Sequence, residues 1–397
     1  MFSHLQAAAA DPILGLMAQF QREPRACKID LGVGVYRDAA GHTPILDCVH
    51  EAERLRLAEE DTKSYQGMAG DLAFTDAIEA LALDDHPVRR DRRVFTVQTP
   101  GGTGALRVAA ELVRYSRPDA CLWLPDATWG NHPGVFQAAG LRLHEYPYYD
   151  LPTQSLRTDA LLAALAQVPA GDVVLLHACC HNPSGVDIPA GLWPEIAALA
   201  QQRGFVPLLD MAYQGFAEDL DRDAIGARIL AGAVPEMLLC TSCSKNFGLY
   251  RERIGALSLI ADRASAAAAA GSVMLERIRN IYSMPPAHGA AIVARILSRP
   301  ALTAQWHGEL AAMRERIWRI RVQAVSQLAA TGLQQDFGFI QRQRGMFSFL
   351  GIGPEQIDRL RSEFAIYLLG SGRINLAGLS EGNIEYFAGS VAAVLSG

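Results

Sequence analysis

The chain has 397 residues, a net charge of −6, half of its residues hydrophobic and one fifth charged. That length exceeds one ordinary core and predicts two structural units in a globular protein with a large interior. No basic tract is present to neutralise phosphates, which argues against a nucleic-acid binder, and the longest biased run, Ala264 to Ala270, is too short to span a membrane and reads as helix interior.

The first five residues, Met1 to Leu5, show no basic segment followed by an apolar one, so no leader peptide is expected. Seven cysteines, with Cys179 and Cys180 adjacent, suit free thiols in a reducing, cytoplasmic compartment better than a disulfide framework. Asp30–Tyr36 then reads as a strand standing outside any alternating series. From there, short apolar runs alternate with helical stretches. The candidate strands are Val94–Gln98, Ala120–Leu124, Arg142–Tyr146, Val173–Ala178, Phe205–Leu209, Met237–Cys240 and Ile254–Ile260. Helical patterns between them include Ala105–Tyr115, Asp159–Gln167 and Gly191–Arg203. This alternation predicts an α/β unit with a mostly parallel, seven-stranded sheet covered on both faces. The last strand follows its predecessor after a short connection, which allows it to run antiparallel. Near Arg299 the pattern changes. Leu310–Leu328 reads as one long helix, and short strands at Phe347–Leu350 and Arg373–Leu376 follow, each with a helix beside it. A second, smaller α+β domain is expected there, with the N-terminal segment packed on it. The expected boundaries are 43–312 for the large domain, and 1–42 with 313–397 for the small one.

Four segments carry candidate chemistry. Gln98-Thr99-Pro100-Gly101-Gly102-Thr103-Gly104 lies between a strand and a helix, where glycines let backbone amides approach an anion and the helix dipole favours it. A tight strand-to-helix turn would also need glycine. The segment lacks the lysine of a nucleoside-triphosphate loop and the spacing of a dinucleotide fingerprint. After a strand comes His177-Ala178-Cys179-Cys180-His181-Asn182-Pro183-Ser184-Gly185, whose Asn-Pro-x-Gly is a turn signal. Its Cys-Cys-His run lacks the ligand spacing of structural zinc sites, and Cys240-x-x-Cys243 stands without a second pair, so no metal is expected. Asp210-Met211-Ala212-Tyr213 closes the next strand. A carboxylate there could pair with a cationic ring nitrogen or simply cap a helix.

The fourth segment holds the most telling residue. Of the 36 lysines and arginines, only Lys28, Lys63 and Lys245 are lysines. Arginine keeps its proton at any ordinary pH, whereas a desolvated lysine can become a neutral amine and form a Schiff base with a carbonyl. Lys28 and Lys63 read as solvated surface lysines. Lys245 lies in Thr241-Ser242-Cys243-Ser244-Lys245-Asn246-Phe247-Gly248, a polar loop at a strand end, where open α/β sheets place ligand chemistry. Arg253, Arg279 and Arg373 stand in similar company, and paired arginines suit dicarboxylates through bidentate forks.

Together these segments resemble the class I pyridoxal-phosphate aminotransferases, in particular the aspartate and aromatic aminotransferase subgroup. The resemblance runs from Asp11-Pro12-Ile13-Leu14 to Ser371-Gly372-Arg373-Ile374-Asn375. It rests on Leu31-Gly32-Val33-Gly34-Val35-Tyr36, Gly101-Gly102-Thr103-Gly104-Ala105-Leu106-Arg107, Cys180-His181-Asn182-Pro183-Ser184-Gly185, Ala212-Tyr213-Gln214-Gly215-Phe216 and Ser244-Lys245-Asn246-Phe247-Gly248-Leu249-Tyr250.

The resemblance implies the fold of the pyridoxal-phosphate-dependent transferases and pyridoxal 5'-phosphate as cofactor. It implies that Lys245 holds that cofactor covalently and later acts as the base, its pKa lowered by nearby cations. Asp210 would pair with the ring nitrogen, supported by His132. Tyr213 and Asn182 would bind the ring oxygen, and Trp129 would stack on the ring. Gly102, Thr103, Ser242, Ser244 and Arg253 would hold the phosphate, with Tyr65 reaching in from a second subunit. Arg373 would grip the substrate α-carboxylate beside Gly34. Trp129 and Asn182 would also touch substrate, and the second subunit's copy of Arg279 would meet a distal carboxylate. A homodimer with shared sites follows from the resemblance, with amino acids and 2-oxo acids as substrates. Arg37, Thr43, Ser64 and Met284 would line the side-chain pocket, and Met284 could admit an aromatic ring. The expected reaction is ping-pong transfer from aspartate or an aromatic amino acid to 2-oxoglutarate. The alternatives are a lyase or decarboxylase on the same fold and a non-catalytic cofactor-binding regulator.

Overall fold

The computed structural model describes residues 1–7 and 11–396. Seven strands form one sheet: β1 (Val94–Pro100), β2 (Cys121–Pro125), β3 (Arg142–Tyr146), β4 (Val173–His177), β5 (Val206–Met211), β6 (Met237–Ser242) and β7 (Ile254–Ile260). Their order is β1-β7-β6-β5-β4-β2-β3. All neighbours run parallel except β7, which is antiparallel to both β1 and β6. The connection between β6 and β7 contains no helix, so it cannot make the crossover a parallel pair requires. The mostly parallel, seven-stranded α/β architecture expected from the alternating pattern is the observed one.

Successive side chains of the central strands enter opposite cores, as a pleat demands. Val174, Leu176, Leu209 and Leu239 join one apolar cluster, while Leu175, Leu208 and Leu238 join another. Helices α1 (Gly101–Ser116) and α2 (Ala264–Ile281) cover the second face through Ala105, Leu106, Met274 and Ile278. The first face is covered by Trp193, Ile196 and Leu230 from helices Trp193–Arg203 and Ile225–Ala233. Each fully buried aliphatic side chain contributes roughly 1.5–3 kcal/mol. The alanine run at 264–270 lies inside α2.

A third cluster gathers Ile29, Leu31, Leu350, Ile366, Ile374 and Val391. The 31-residue helix α3 (Pro300–Ala330) bridges it to the sheet. Trp306, Leu310 and Ile317 of α3 pack with the sheet, whereas Ile320, Ala324 and Leu328 belong to the third cluster. Proline at its first position suits this start, since that N–H has no partner in any helix. In the third cluster Phe347–Phe349 pairs antiparallel with Arg373–Asn375.

The strand expected over Asp30–Tyr36 is a correction. Only Ile29–Asp30 is strand, paired in parallel with Ile366–Tyr367. Beyond it, Leu31 still exchanges backbone bonds with Tyr367 and Asn375, and the next carbonyls accept from distant side chains instead of a ladder. Arg373 Nη2 donates to Gly32 O at 2.6 Å, and Asn375 Nδ2 donates to Val33 O at 2.6 Å and Val35 O at 2.7 Å. The segment is thereby fixed against Arg373. Among the described residues no helix is long and apolar enough to cross a membrane.

Candidate active site

The carboxyl ends of β4, β5 and β6 lie side by side, with His177 opposite Asp210 and Asp210 opposite Cys240. The end of β1 reaches the same edge, because Pro100 pairs with Ile254 at the start of antiparallel β7. A cavity opens at this edge. Twelve expected site residues line it: Gly34, Gly102, Thr103, Trp129, Asn182, Asp210, Tyr213, Ser242, Ser244, Lys245, Arg253 and Arg373.

One end of the cavity is a cradle for an anion. Helix α1 starts at Gly101 and is followed at once by Gly102 and Thr103, so its unpaired N–H groups lie at that end. Gly101 has φ 70°, and a Cβ there would come 2.5 Å from Arg253 Nη2. A Cβ on Gly255 would strike the carbonyl carbon of Gly101 at 2.5 Å. The absence of side chains at these two positions is what lets the loop, β7 and the guanidinium approach. Arg253 takes the left-handed region itself, at φ 56°, and is held by Nη1 donating to Tyr250 O at 3.0 Å. Ser242 and Ser244 complete the cradle, with Ser244 N donating to Ser242 Oγ at 3.2 Å.

Lys245 follows this serine pair. Its Nζ lies 4.7 Å from the centroid of the Tyr213 ring and donates no hydrogen bond among the described residues. Burial lowers its pKa to about 8, Asp210 opposes that shift, and Arg253 adds to it. The expectation that nearby cations lower this pKa is thus corrected: desolvation is the larger cause. The other two lysines differ from it and from each other. Lys63 is exposed and pairs with Glu60. Lys28, expected to be solvated, instead caps a helix end by donating to Phe20 O at 3.0 Å and Glu23 O at 2.8 Å.

Asp210 caps no helix. Its Oδ2 lies 3.2 Å from His132 Nε2, His132 Nδ1 lies 2.7 Å from Thr128 Oγ1, and Thr128 Oγ1 lies 3.2 Å from His177 Nε2. An ionised carboxylate only accepts, so His132 Nε2–H donates to Asp210, and the Thr128 hydroxyl bridges the two imidazoles behind it. Burial pushes Asp210 up. The hydrogen bond from His132, with the neighbouring imidazoles and the Lys245 amine behind it, outweighs burial and holds the carboxyl below its ordinary value. Burial, reinforced by His132, lowers His177 to about 3, so His177 stays neutral.

At the other end, Arg373 is buried and held by neutral acceptors. Its Nη1 donates to Asn182 Oδ1 at 3.1 Å and its Nη2 to Gly32 O at 2.6 Å. Its guanidinium lies 4.4 Å from the centroid of the Phe347 ring. Among the described residues, neither Lys245, Arg253 nor Arg373 forms a carboxylate ion pair. Asp210 is the cavity's one carboxylate. Three cations facing one anion leave the site short of negative charge; Arg253 is exposed and Lys245 half-buried, so the cost of a buried unpaired cation falls on Arg373. The arrangement therefore favours anionic ligands at both ends, with an amine of lowered pKa between them.

Tyr65 and Arg279 do not line this cavity. Tyr65 is 95% exposed and shares a separate cleft with Ser64 and Met284. Arg279 is exposed and contacts Ser283, the neighbour of Met284. Arg37 is ion-paired to Asp30 at 2.6 Å, and Thr43 Oγ1 donates to Tyr36 O at 3.0 Å. Sequence reasoning missed Ile13, Leu106, Ala212 and Phe347 as lining residues, and Thr128 and His177 behind Asp210. The first group sits inside or beside recognised motifs, His177 opens the Cys-Cys-His segment without being given this role, and Thr128 stands four residues before His132. Cys179, Cys180 and Asp223 also cluster, but the Asp223 carboxylate accepts from Gly215, Ala217 and Glu218 N–H, the Cys180 contact and burial push the Cys179 thiol up, and burial pushes Cys180 up to about 11.

Comparison with known proteins places this geometry. The family model "Aminotransferase class I and II" matches residues 26–391. The aspartate aminotransferase of Haemophilus influenzae is 47% identical over 396 residues, covering 100% of each chain. The aromatic-amino-acid aminotransferase of Pseudomonas aeruginosa is 45% identical, covering 99% of this chain and 98% of that one. A crystal structure of the aromatic-amino-acid aminotransferase from Burkholderia pseudomallei, covalently bound to pyridoxal phosphate, matches with a TM-score of 0.97 at 43% identity. That match covers 100% of this chain and 99% of the other.

Proposed function

This chain belongs to the class I and II aminotransferases and is a pyridoxal-phosphate-dependent transaminase; we propose that it takes amino groups from both aspartate and aromatic amino acids and delivers them to 2-oxoglutarate by a ping-pong route. The observation that carries this reading is the charge imbalance of the cavity. Lys245, Arg253 and Arg373 face a single carboxylate, Asp210. A phosphate at the cradle and a carboxylate at Arg373 would restore the balance.

The residues present fit the cofactor. Gly102, Thr103, Ser242, Ser244 and Arg253 would hold its phosphate. A Cβ on Gly102 would come 3.2 Å from Ser242 Cβ and narrow the cradle. Trp129 would cover one face of the ring, Tyr213 and Asn182 would donate to its oxygen, and Asp210 would keep its nitrogen protonated. When bound, pyridoxal phosphate supplies a carbonyl carbon for the amine and a ring that takes up the electron pair left at the substrate α-carbon. Lys245 does the rest of the acid–base work. With its pKa near 8, a substantial fraction is neutral at physiological pH, and it takes the α-proton and returns it one carbon away. Asp210 stays ionised under the hydrogen bond from His132. Arg373 orients the substrate by its α-carboxylate and holds the α-carbon at the amine. Gly34 leaves the room this needs, because a Cβ there would sit 3.0 Å from Phe347 Cζ.

The distal end of the substrate requires a second subunit in this reading. Tyr65 and Arg279 are exposed, and so are the large apolar side chains Ile45, Leu57, Leu72 and Ile281, the first three each more than half. Exposed apolar side chains of this kind suit a homodimer interface that brings the partner's Tyr65 and Arg279 to each cavity. Arg279 would select aspartate and glutamate, while Met284 offers a yielding thioether to an aromatic ring. We assign 43–312 to the large domain and 1–42 with 313–397 to the small one, supported by the change of packing partner along α3. The seven free thiols favour a cytoplasmic setting.

Steady-state kinetics with aspartate, phenylalanine and tyrosine against 2-oxoglutarate test the substrate reading. Aspartate is expected to be at least as good a donor as either aromatic. No turnover of any aromatic donor would sink the dual-substrate claim. The dimer is tested by mixing two defective variants, Lys245→Ala and Arg279→Leu, under conditions that exchange subunits. Each hybrid dimer should regain one intact site and with it aspartate turnover. If mixing restores nothing, the sites are not shared.

A further inference from the structure

The loop between β4 and Ile188 presents Asn182 to the cavity, and something must hold its shape. Its corner is Cys180, whose φ of 50° lies in the left-handed region that side chains other than glycine seldom adopt. Neither Cys180 N nor His181 N finds a backbone acceptor among the described residues. Both donate to one side chain: Cys180 N to Asp187 Oδ2 at 2.8 Å and His181 N to Asp187 Oδ1 at 2.6 Å. One carboxylate thus takes two successive amides at the strained corner, one on each oxygen. The residue after His181 is Asn182. Its Oδ1 is already occupied by Arg373 Nη1, so its amide N–H groups remain for the cavity. Asp187 itself does not line that cavity and instead faces a separate cleft, beside Cys179 and Asp223.

We propose that Asp187 is a positioning residue for transamination, setting the direction in which Asn182 donates to the bound cofactor. The proposal rests on the reading that Asn182 faces the cofactor's ring oxygen. Asp187 touches neither substrate nor cofactor and acts through two backbone amides. The geometry needs two acceptor oxygens at once. Asparagine offers only one and would turn its own N–H₂ toward a backbone N–H. A carboxylate bonded to backbone amides is also the stronger anchor.

The test compares Asp187→Asn, Asn182→Ala and the double variant as holoenzymes, reading the visible absorption of the bound cofactor against pH together with kcat and KM. An amide donor beside the ring oxygen favours its anionic form, so N182A should move the absorption midpoint to higher pH. D187N should move it the same way by about one pH unit and lower kcat/KM about tenfold. The double variant should move no further than N182A alone. Asp187→Glu keeps both oxygens and should fall between D187N and the wild type, which covers the case in which D187N accumulates poorly. Ile384→Ala, a truncation in the third core, should lower the melting temperature and leave the midpoint in place, separating positioning from mere loss of stability. The proposal is overturned if D187N leaves the midpoint unchanged while N182A shifts it, or if the two shifts simply add. An unchanged midpoint in N182A would instead overturn the reading of Asn182 on which the proposal stands.

Discussion

Lys245 and Arg321 are two cations taken out of bulk water, and the molecule treats them in opposite ways. Lys245 sits half-buried at a cavity wall with no hydrogen-bond acceptor among the described residues, its Nζ over the Tyr213 ring and the charges of Asp210 and Arg253 acting on it in opposite directions. Arg321 is 1% exposed and wrapped by a loop. Its Nε and Nη2 donate to Gly345 O at 3.1 and 2.8 Å, its Nη1 to Ile340 O at 2.6 Å, and its Nη2 also to Arg344 O at 3.1 Å and Phe347 O at 2.6 Å. Desolvation pulls both pKa values down. For Arg321 the carbonyls replace the lost water, and a permanent, forked cation serves as a structural pin. For Lys245 nothing replaces it, and the nitrogen is left able to shed its proton. Burial alone therefore does not make a base. Burial without acceptors does, and only lysine can use it.

The largest expected effect comes from giving the first region the residue of the second. Lys245→Arg preserves the positive charge and removes the nitrogen that can form an imine or carry a proton. Turnover should fall by more than about four orders of magnitude, with the melting temperature nearly unchanged. Single-turnover spectroscopy with aspartate measures it, and substantial retained turnover would show that charge, not proton loss, is what the position needs.

The reverse experiment empties the second region. Arg321→Met strands the carbonyls of Ile340, Arg344, Gly345 and Phe347 in an apolar interior. We expect a loss of about 3–5 kcal/mol, measured by urea unfolding. Lysine has three donors and no fork, so Arg321→Lys should recover only part of it. If R321M unfolds at the wild-type urea concentration, the wrapped cation is not a pin and the contrast with Lys245 fails.

The same contrast shows what could be seen in the sequence. The seven strands were legible because their apolar runs alternate with helices, and β7 because its connection is too short for a crossover. Lys245 stood out because a chain that uses arginine almost everywhere kept a lysine at a strand end. The bend after Asp30 was not legible. Its carbonyls are claimed by Arg373 and Asn375, more than 300 residues away, and a local pattern of Leu, Val and Tyr still reads as strand. His177 was missed for a related reason: it meets Thr128 and Asp210 only because the sheet sets β4 between β2 and β5, a register that no local spacing encodes. Thr128 lies only four residues before His132, so that contact is local and was overlooked. The origin of the Lys245 pKa shift was likewise misassigned to nearby cations, since burial is a property of the folded chain.

The subtlest test concerns what Lys245 costs the protein before any cofactor arrives. Its ordinary pKa is 10.5 and its value in the folded apo chain is about 8. Above both values the amine is neutral in folded and unfolded states alike and contributes no pH dependence. As pH falls from 10.5 toward 8 the unfolded chain takes up a proton that the folded chain refuses, so stability declines. Below 8 both states are protonated and the penalty stays constant. Lys245→Met removes the amine and keeps a similar length of apolar side chain. The apo form of K245M should therefore be more stable than the wild-type apo form at pH 7, by on the order of 1–3 kcal/mol, and the gap should close as pH rises past 10. Arg321→Met should stay less stable than the wild type across this range, because the carbonyls it strands lack their donors at every pH in it. Denaturant unfolding of the three apo proteins at pH 7 and pH 10.5 decides it. A K245M variant less stable than wild type at both pH values would mean that the lysine is as well solvated by its surroundings as the arginine, and that its reactivity has some other source than desolvation.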